Sequence, residues 1–131
     1  MNMKAGLSYE FGPFRLDVSE HRLLHGQQVV PLGPKVFETL LVLIQHSGHV
    51  LQKNELMVRL WPDSFVEESS LTQNISLLRK ALSEASEQQF IETVPKLGYR
   101  FVAPVKLVEV NGADEAVVLQ RPDESPERRS D

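Results

Sequence analysis

The stretch Phe65–Leu82, with the sequence FVEESSLTQNISLLRKAL, decides the fold that the rest of the chain must support. We interpret Ser70–Leu82 as a helix. At about 100° per residue, steps of four, three and four keep side chains on one narrow stripe of a helix. The apolar residues at those steps are Leu71, Ile75, Leu78 and Leu82. The pattern predicts a helix that packs on a core along one side only.

The opposite side of this helix carries short hydrogen-bonding side chains and cations. Its members are Ser69, Gln73, Ser76, Leu77 and Lys80, with Thr72 and Arg79 on one flank and Asn74 on the other. Amides and hydroxyls that read base edges, with cations that reach phosphates, are the chemistry of a helix in a DNA major groove. An ordinary amphipathic surface helix shows the same pattern, so this stretch alone leaves both interpretations open.

The composition indicates one domain of about 100 residues with extensions. The chain contains no cysteine, which excludes disulfides and thiolate metal sites and allows a reducing compartment. The N-terminus has no apolar run typical of a signal peptide. The longest apolar run, Leu40–Ile44, is too short for a bilayer, which needs about 20 residues. We therefore expect a cytoplasmic protein with no membrane segment in this chain.

The net charge of −4 comes from one end of the chain. Residues 1–106 hold 11 lysines and arginines against 11 acidic residues, whereas residues 107–131 hold 3 against 7. A neutral domain binds DNA when its cations are gathered on one face, so charge alone leaves DNA binding open. The acidic stretch has no periodicity, and we predict a disordered linker or tail over residues 107–131 and a disordered N-terminus over residues 1–7.

The rest of the chain divides into a sheet, two further helices and a hairpin. Four short segments separated by tight turns between Tyr9 and Leu32 predict an N-terminal four-stranded antiparallel sheet. Gly33-Pro34 begins an apolar helix that ends at Ser47-Gly48, and a second helix covers Lys53–Trp61. After the helix over Ser70–Leu82, residues 91–102 form a hairpin with cations at its tip and on its return strand. The expected fold is α+β, a winged helix-turn-helix with three helices and a C-terminal β-hairpin wing.

Several short motifs in this order resemble the OmpR/PhoB-type winged-helix DNA-binding domain, which also begins CadC- and ToxR-like regulators. The resemblance covers the predicted domain at residues 8–106. Its carriers are the four-strand prelude, Leu32-Gly33-Pro34-Lys35-Val36-Phe37, Glu55-Leu56 with Leu60-Trp61-Pro62, Ile75-x-x-Leu78-Arg79-Lys80-x-Leu82, and Ile91-Glu92-Thr93-Val94 with Gly98-Tyr99-Arg100-Phe101. It implies sequence-specific binding of double-stranded DNA by the effector domain of a bacterial one-component regulator.

The resemblance also implies a role for each matching position. The recognition helix over residues 69–82 lies in the major groove, and its groove-facing positions are Ser69, Ser70, Gln73, Asn74, Ser76 and Leu77. Phosphate contacts fall to Arg79 and Lys80, while the wing over residues 91–102 brings Thr93, Lys96 and Arg100 to the backbone and minor groove. Several family members carry arginine where Ser76, Leu77 and Pro95 stand here. We therefore expect fewer cationic contacts, with weaker binding or a different site sequence.

Several of these residues have simpler interpretations. Ser70 caps the helix if Gln73 reaches back as its capping-box partner. Leu77 meets either a thymine methyl group or a neighbouring protomer, and Arg79 pairs with either a phosphate or an acidic residue. Tyr99 and Trp61 belong to the core on this interpretation. Gly98 supplies a positive φ in the wing turn.

Rival functions have weaker support in the sequence. His21 with His25, and His46 with His49, have ligand-like spacing, but neither a cysteine nor a nearby carboxylate completes a metal set. No phosphate-binding glycine loop or nucleophile elbow is present. We therefore expect neither an enzyme nor a cofactor. A winged-helix module that binds protein instead of DNA remains the alternative, favoured by Leu77 and the neutral balance of charge.

The resemblance finally bears on partners and regulation. Too few residues precede the first strand for a receiver domain, so the arrangement is CadC-like, with the DNA-binding domain first. The chain is either a fragment of a longer regulator or receives its signal by another route. We expect a monomer that pairs head-to-tail on direct-repeat half-sites of DNA. The loop Pro62–Glu68 resembles the segment with which some members contact RNA polymerase.

Overall fold

The computed structural model describes residues 6–110 and 116–119. It contains three helices and nine strands within those ranges. In chain order they are β1 (Gly6–Phe11), β2 (Phe14–Asp17), β3 (Arg22–His25), β4 (Gln28–Val30), α1 (Pro34–Gln45), β5 (Val50–Gln52), α2 (Lys53–Leu60), α3 (Glu68–Ser83), β6 (Ile91–Val94), β7 (Gly98–Phe101), β8 (Lys106–Val110) and β9 (Ala116–Leu119). The expected α+β architecture with an N-terminal sheet, three helices and a C-terminal hairpin is confirmed.

The N-terminal sheet is larger than the sequence indicated. Its strands are all antiparallel neighbours in the order β4-β3-β2-β1-β8-β9. The four predicted strands, β1 to β4, are four of its six strands, and β8 pairs with the other side of β1, with Leu107 opposite Tyr9. The sheet therefore receives strands from both ends of the domain.

The prediction of disorder is wrong for Gly6 and Leu7 and for the strands within residues 107–131. The acidic composition of the tail hid a local alternation in Lys106–Val110, where Val108 is buried at 2% exposure. Pairing satisfies the backbone groups that β1 would otherwise expose along one edge. The domain thus extends past residue 106. The predictions for residues 1–5, 111–115 and 120–131 lie outside the described residues.

Helix α3 packs on α1 and α2 through its predicted apolar stripe. Leu71, Ile75, Leu78 and Leu82 are all at most 3% exposed. The helix begins at Glu68, two residues before the predicted start, and the backbone N–H of Ser70 already donates to the Glu67 carbonyl at 2.9 Å. Ser70 therefore lies inside the first turn and does not cap the helix. The capping-box interpretation is wrong.

An aromatic cluster joins the large sheet to the wing. Phe11 and Phe14 lie on β1 and β2, Phe90 precedes β6, and Phe101 ends β7. Phe11 meets Phe14, Phe90 and Phe101 with ring centroids 5.3–5.4 Å apart, in both stacked and edge-to-face arrangements. Aromatic pairs at such distances add to the stabilisation from buried area. The cluster fixes the base of the wing against the sheet.

The wing belongs to a second, three-stranded sheet in the order β5-β7-β6. Gly98 starts β7 opposite Gln52, and a Cβ at Gly98 would overlap the Leu51 carbonyl oxygen. Its φ is not positive; the residue with positive φ in this turn is Lys96, at 68°. The interpretation of Gly98 as a positive-φ residue is therefore wrong. Glycine is required here because the backbones of β5 and β7 approach closely.

Candidate nucleic-acid interface

The side of α3 that faces away from the core has the composition that the sequence predicted. The exposed residues there are Ser69, Thr72, Gln73, Ser76, Leu77 and Lys80. Leu77 is 47% exposed, so one apolar side chain lies among polar side chains on this side of α3. The α1 and α2 packing on the opposite stripe holds these side chains in fixed directions. We call this set of six residues the open face of α3.

Two predicted groove-facing residues lie elsewhere. Asn74 is only 8% exposed, and its Nδ2 donates to Thr39 Oγ1 on α1 at 3.3 Å. Thr39 Oγ1 in turn donates to the Lys35 carbonyl at 2.7 Å. Asn74 therefore belongs to a buried link between α1 and α3, and its assignment to the groove is wrong. Ser70 is half-buried at the edge of the open face.

Arg79 connects α3 to the wing. Its Nη2 donates to the Ile91 carbonyl at 3.0 Å and to Thr93 Oγ1 at 2.8 Å, and its guanidinium lies 6.0 Å from the Tyr99 ring centroid. Tyr99 is buried at 7% exposure, as its predicted place in the core requires. The sequence offered a phosphate or an acidic residue as the partner of Arg79. Within the domain, the partners are instead a carbonyl and a hydroxyl of β6.

The wing carries a cation, Lys96, at its tip. Lys96 is exposed between Pro95 and Leu97, and the Leu97 N–H donates to the Val94 carbonyl at 3.0 Å to close the turn. Leu97 is 50% exposed, so an apolar side chain flanks the cation. Within the described part of the chain, the Lys96 ammonium has no hydrogen bond or ion pair.

Arg100 faces an acidic residue across the wing. It lies opposite Glu92, and the Glu92 Oε1 accepts from Arg100 Nε at 2.9 Å and pairs with Nη2 at 2.7 Å. Because Glu92 carries the opposite charge, it offsets part of the attraction of Arg100 for a nearby phosphate. The sequence prediction named Arg100 as a DNA contact without this partner.

One cation beside α3, Lys53, was not predicted. The Lys53 Nζ, at the start of α2, donates to Glu68 Oε2 at the start of α3, over 2.7 Å. This hydrogen bond and the charge of Glu68 raise the pKa of the Lys53 ammonium above its ordinary 10.5. No sequence pattern marks the pair, because the two residues are 15 positions apart across a loop.

These contacts place the wing alongside α3. The Lys53 N–H donates to the Leu97 carbonyl at 3.1 Å, which brings the wing tip beside the start of α2 and, through Glu68, the start of α3. Arg79 joins the middle of α3 to β6. Tip and helix are thus held together at two points, and the open face of α3 and Lys96 belong to one continuous structure.

Histidine and carboxylate side chains give no sign of a metal centre in the described ranges. No group of three or more potential metal-binding residues is present among them. His21 stacks on Phe37 with centroids 4.8 Å apart, and His25 meets Phe14 edge-on at 5.5 Å. These two histidines pack on core aromatic rings. None of the helices in residues 6–110 is long and apolar enough to cross a membrane.

Comparison with known proteins identifies the family. The family model described as "Transcriptional regulatory protein, C terminal" matches residues 26–101, more than half of the chain. The chain belongs to this family of OmpR/PhoB-type DNA-binding domains. The family is a class of transcriptional regulatory domains and not of enzymes.

Relatives of this OmpR/PhoB-type domain include whole regulators and solved domains. It is 38% identical over 100 residues to the transcriptional regulator HilA of Salmonella typhimurium, an alignment that covers 76% of this chain and 18% of HilA. The DNA-binding domain of Escherichia coli CadC superposes with a TM-score of 0.69 at 32% identity, over 79% of this chain and 97% of that domain. The Klebsiella pneumoniae RstA DNA-binding domain in complex with the RstA box gives 0.62 at 26% identity, over 72% and 96%. The chain thus spans about a fifth of the length of HilA.

The strained backbone of Lys96 leads to a prediction about stability. Lys96→Gly and Lys96→Ala remove the same charge, but only glycine relieves the positive φ. We expect the free energy of unfolding of Lys96→Gly to exceed that of Lys96→Ala by about 0.5–1 kcal/mol. Alanine must adopt the costly left-handed conformation, and this cost is larger than the conformational entropy that glycine loses on folding. Urea denaturation of both variants measures this difference. Equal stabilities would contradict a strained turn.

Proposed function

We propose that this OmpR/PhoB-type domain binds double-stranded DNA in a sequence-specific manner, as the effector domain of a bacterial transcriptional regulator in the cytoplasm. The observation that carries the proposal is the open face of α3, which presents amide, hydroxyl and apolar groups without a carboxylate between Ser69 and Lys80. Such groups match the donors, acceptors and thymine methyl groups of the major groove. The core packing of α3 fixes their directions, which sequence discrimination requires.

The roles divide between reading bases and holding the backbone. Gln73, Ser69 and Ser76 donate and accept at base edges, while Leu77 contacts a thymine methyl group. Lys80 and Lys96 contact phosphates on either side of the groove. Arg79, Thr93 and Arg100 set the position of the wing and add to the positive potential there.

This division makes DNA binding measurable in two ways. Lys80 and Lys96 are the residues placed on phosphates, so log K against log salt should have a slope of about −2 per domain. Gln73→Ala should change which bases are preferred when sites are selected from random DNA. Lys96→Ala should instead lower the affinity for all sequences by nearly the same factor. Fluorescence anisotropy measures both, with Gln45→Ala, an exposed glutamine at the end of α1, as the matched control.

The outcome also separates DNA binding from the alternative function. A winged-helix module that binds protein would use the exposed Leu77 and would show no salt-dependent affinity for any duplex. A flat salt response with no sequence preference would therefore reject DNA as the partner. An unchanged preference in Gln73→Ala would reject only the reading role of Gln73.

We infer that the domain is a monomer without DNA and pairs head-to-tail on direct repeats. The inference rests on the family resemblance and on the exposed ends of the two sheets, where β4 and the wing tip of successive domains would meet. A contact of that size is weak, and DNA supplies the effective concentration that makes it visible.

Half-site spacing provides the test of this pairing. Cooperativity should be greatest when the centres of two half-sites are about 10–11 base pairs apart, one helical turn, and should fall at about 15. Sedimentation of the unbound protein and titration onto a spacing series measure the two parts. A stable dimer without DNA, or cooperativity that ignores spacing, would contradict the arrangement.

We further propose that the loop between α2 and α3 contacts RNA polymerase. Its side chains are unusually exposed for apolar residues: Phe65 is fully exposed and Val58 on α2 is 65% exposed. They border a groove of about 490 Å³ that Met57, Trp61 and Val66 also line. Exposed aromatic residues beside an apolar groove are typical of protein-binding surfaces.

Phe65→Ala tests this contact. We expect it to leave DNA affinity unchanged and to lower transcription from a dependent promoter several-fold, since aromatic anchors often cost more than about 1 kcal/mol when truncated at an interface. The matched control is Leu7→Ala, which truncates an apolar side chain 40% exposed on β1. If the Phe65→Ala and Leu7→Ala variants give the same level of transcription, the loop has no such role.

A further inference from the structure

We propose that Lys53 is an additional phosphate-binding residue and that Glu68 competes with the DNA backbone for it. The proposal rests on the DNA-binding function inferred above. Glu68 thereby lowers the affinity of the domain for DNA and reserves the Lys53 contact for complexes in which the duplex is held close to both α3 and the wing.

The position of Lys53 points to this role. Its backbone N–H bonds to the Leu97 carbonyl at the wing tip, and its Nζ reaches Glu68, the first residue of α3. The ammonium therefore lies between the start of the major-groove helix and the tip of the wing. A duplex that engages both elements must carry its phosphate backbone across the space between them.

In the absence of DNA, the Lys53 ammonium is paired with Glu68. Its carboxylate is 57% exposed and the Lys53 side chain is 34% exposed, so both groups are within reach of a ligand from solvent. A phosphate oxygen and a carboxylate oxygen are equivalent acceptors for an ammonium. The raised pKa of Lys53 keeps it charged at neutral pH, so the competition is between two anions and involves no proton.

Competition of this kind acts on specificity. Solvent-exposed ion pairs are weak enough to exchange, so an incoming phosphate can replace Glu68. On random DNA, where the base contacts of α3 are absent, the domain stays bound to the outer phosphates and the exchange brings no gain. On the correct site, base contacts bring the DNA backbone close to α3, and the Lys53 ammonium moves from Glu68 to a phosphate. Glu68 therefore lowers the affinity for the correct site, where its ion pair with Lys53 must be broken, more than the affinity for random DNA.

A neighbouring glutamate provides the control. Glu67 precedes α3, is exposed, and in the described part of the chain its carboxylate has no ion pair. Glu67→Gln and Glu68→Gln remove the same charge one residue apart, but only Glu68→Gln releases Lys53. Comparing them in the presence of Lys53 and in the Lys53→Met background separates the release from simple loss of negative charge.

The expected result is a larger gain for Glu68→Gln. With Lys53 present, it should bind the site selected from random DNA about two- to fivefold more tightly than Glu67→Gln does, the range for an exposed pair. Its salt slope should equal that of Glu67→Gln, because Lys53 reaches a phosphate on the site in both variants and the number of phosphate contacts is the same. With Met at position 53, the two glutamine variants should have the same affinity and slope. Affinity for the site should rise by a larger factor than affinity for random DNA.

Two results would overturn the inference. Equal affinities of Glu67→Gln and Glu68→Gln for the selected site with Lys53 present would leave only a general charge effect. A Lys53 ammonium signal, in nuclear magnetic resonance of the unmodified domain, that keeps its Glu68-bonded shift on the specific site would show that no exchange occurs. This second measurement uses the unmodified domain, so it tests the inference even if thermal melts show that Glu68→Gln destabilises the fold. Failure of every variant to bind any duplex would instead reject the proposed function.

Discussion

The burial of one stripe of α3 is the constraint on which the rest of the structure depends. Leu71, Ile75, Leu78 and Leu82 are almost completely removed from water, and each such burial contributes about 1.5–3 kcal/mol relative to exposure. Their spacing fixes the rotation of the helix about its axis. Gln73 and Lys80 face outward because rotating the helix to bury them would expose this stripe. The interface is thus a consequence of core packing.

The charged groups around α3 hold the wing and the helices in position as much as they attract DNA. Arg79 donates to two acceptors on β6, Arg100 faces Glu92, and Lys53 faces Glu68. These internal partners explain how residues 1–106, with equal numbers of acidic and basic residues, form an interface suited to DNA. The positive potential that reaches solvent comes mainly from Lys80 and Lys96. A domain built in this way must rely on correct fit more than on general attraction to polyanions.

The sheet and the wing behave as one support because aromatic residues connect them. Phe11 of β1 contacts Phe90 and Phe101 at the base of the wing, while β8 pairs with β1 on its other side. The wing is therefore anchored to a strand in the interior of the six-stranded sheet. Close approach at Gly98 adds a second constraint, since a side chain there would separate β7 from β5.

The order of elements and the outward face of α3 could be predicted from the sequence, because apolar periodicity, Gly-Pro turns and the family motifs are local signals. The sequence prediction misplaced Asn74, whose polar character fits a groove equally well until Thr39 is seen beside it in the core. The partners of Arg79 and Lys53 lie 12 and 15 residues away along the chain and become apparent in the folded domain. The same is true of the pairing of β8 with the edge of β1. Such pairings depend on which backbones meet in space, and no local pattern of residues records that.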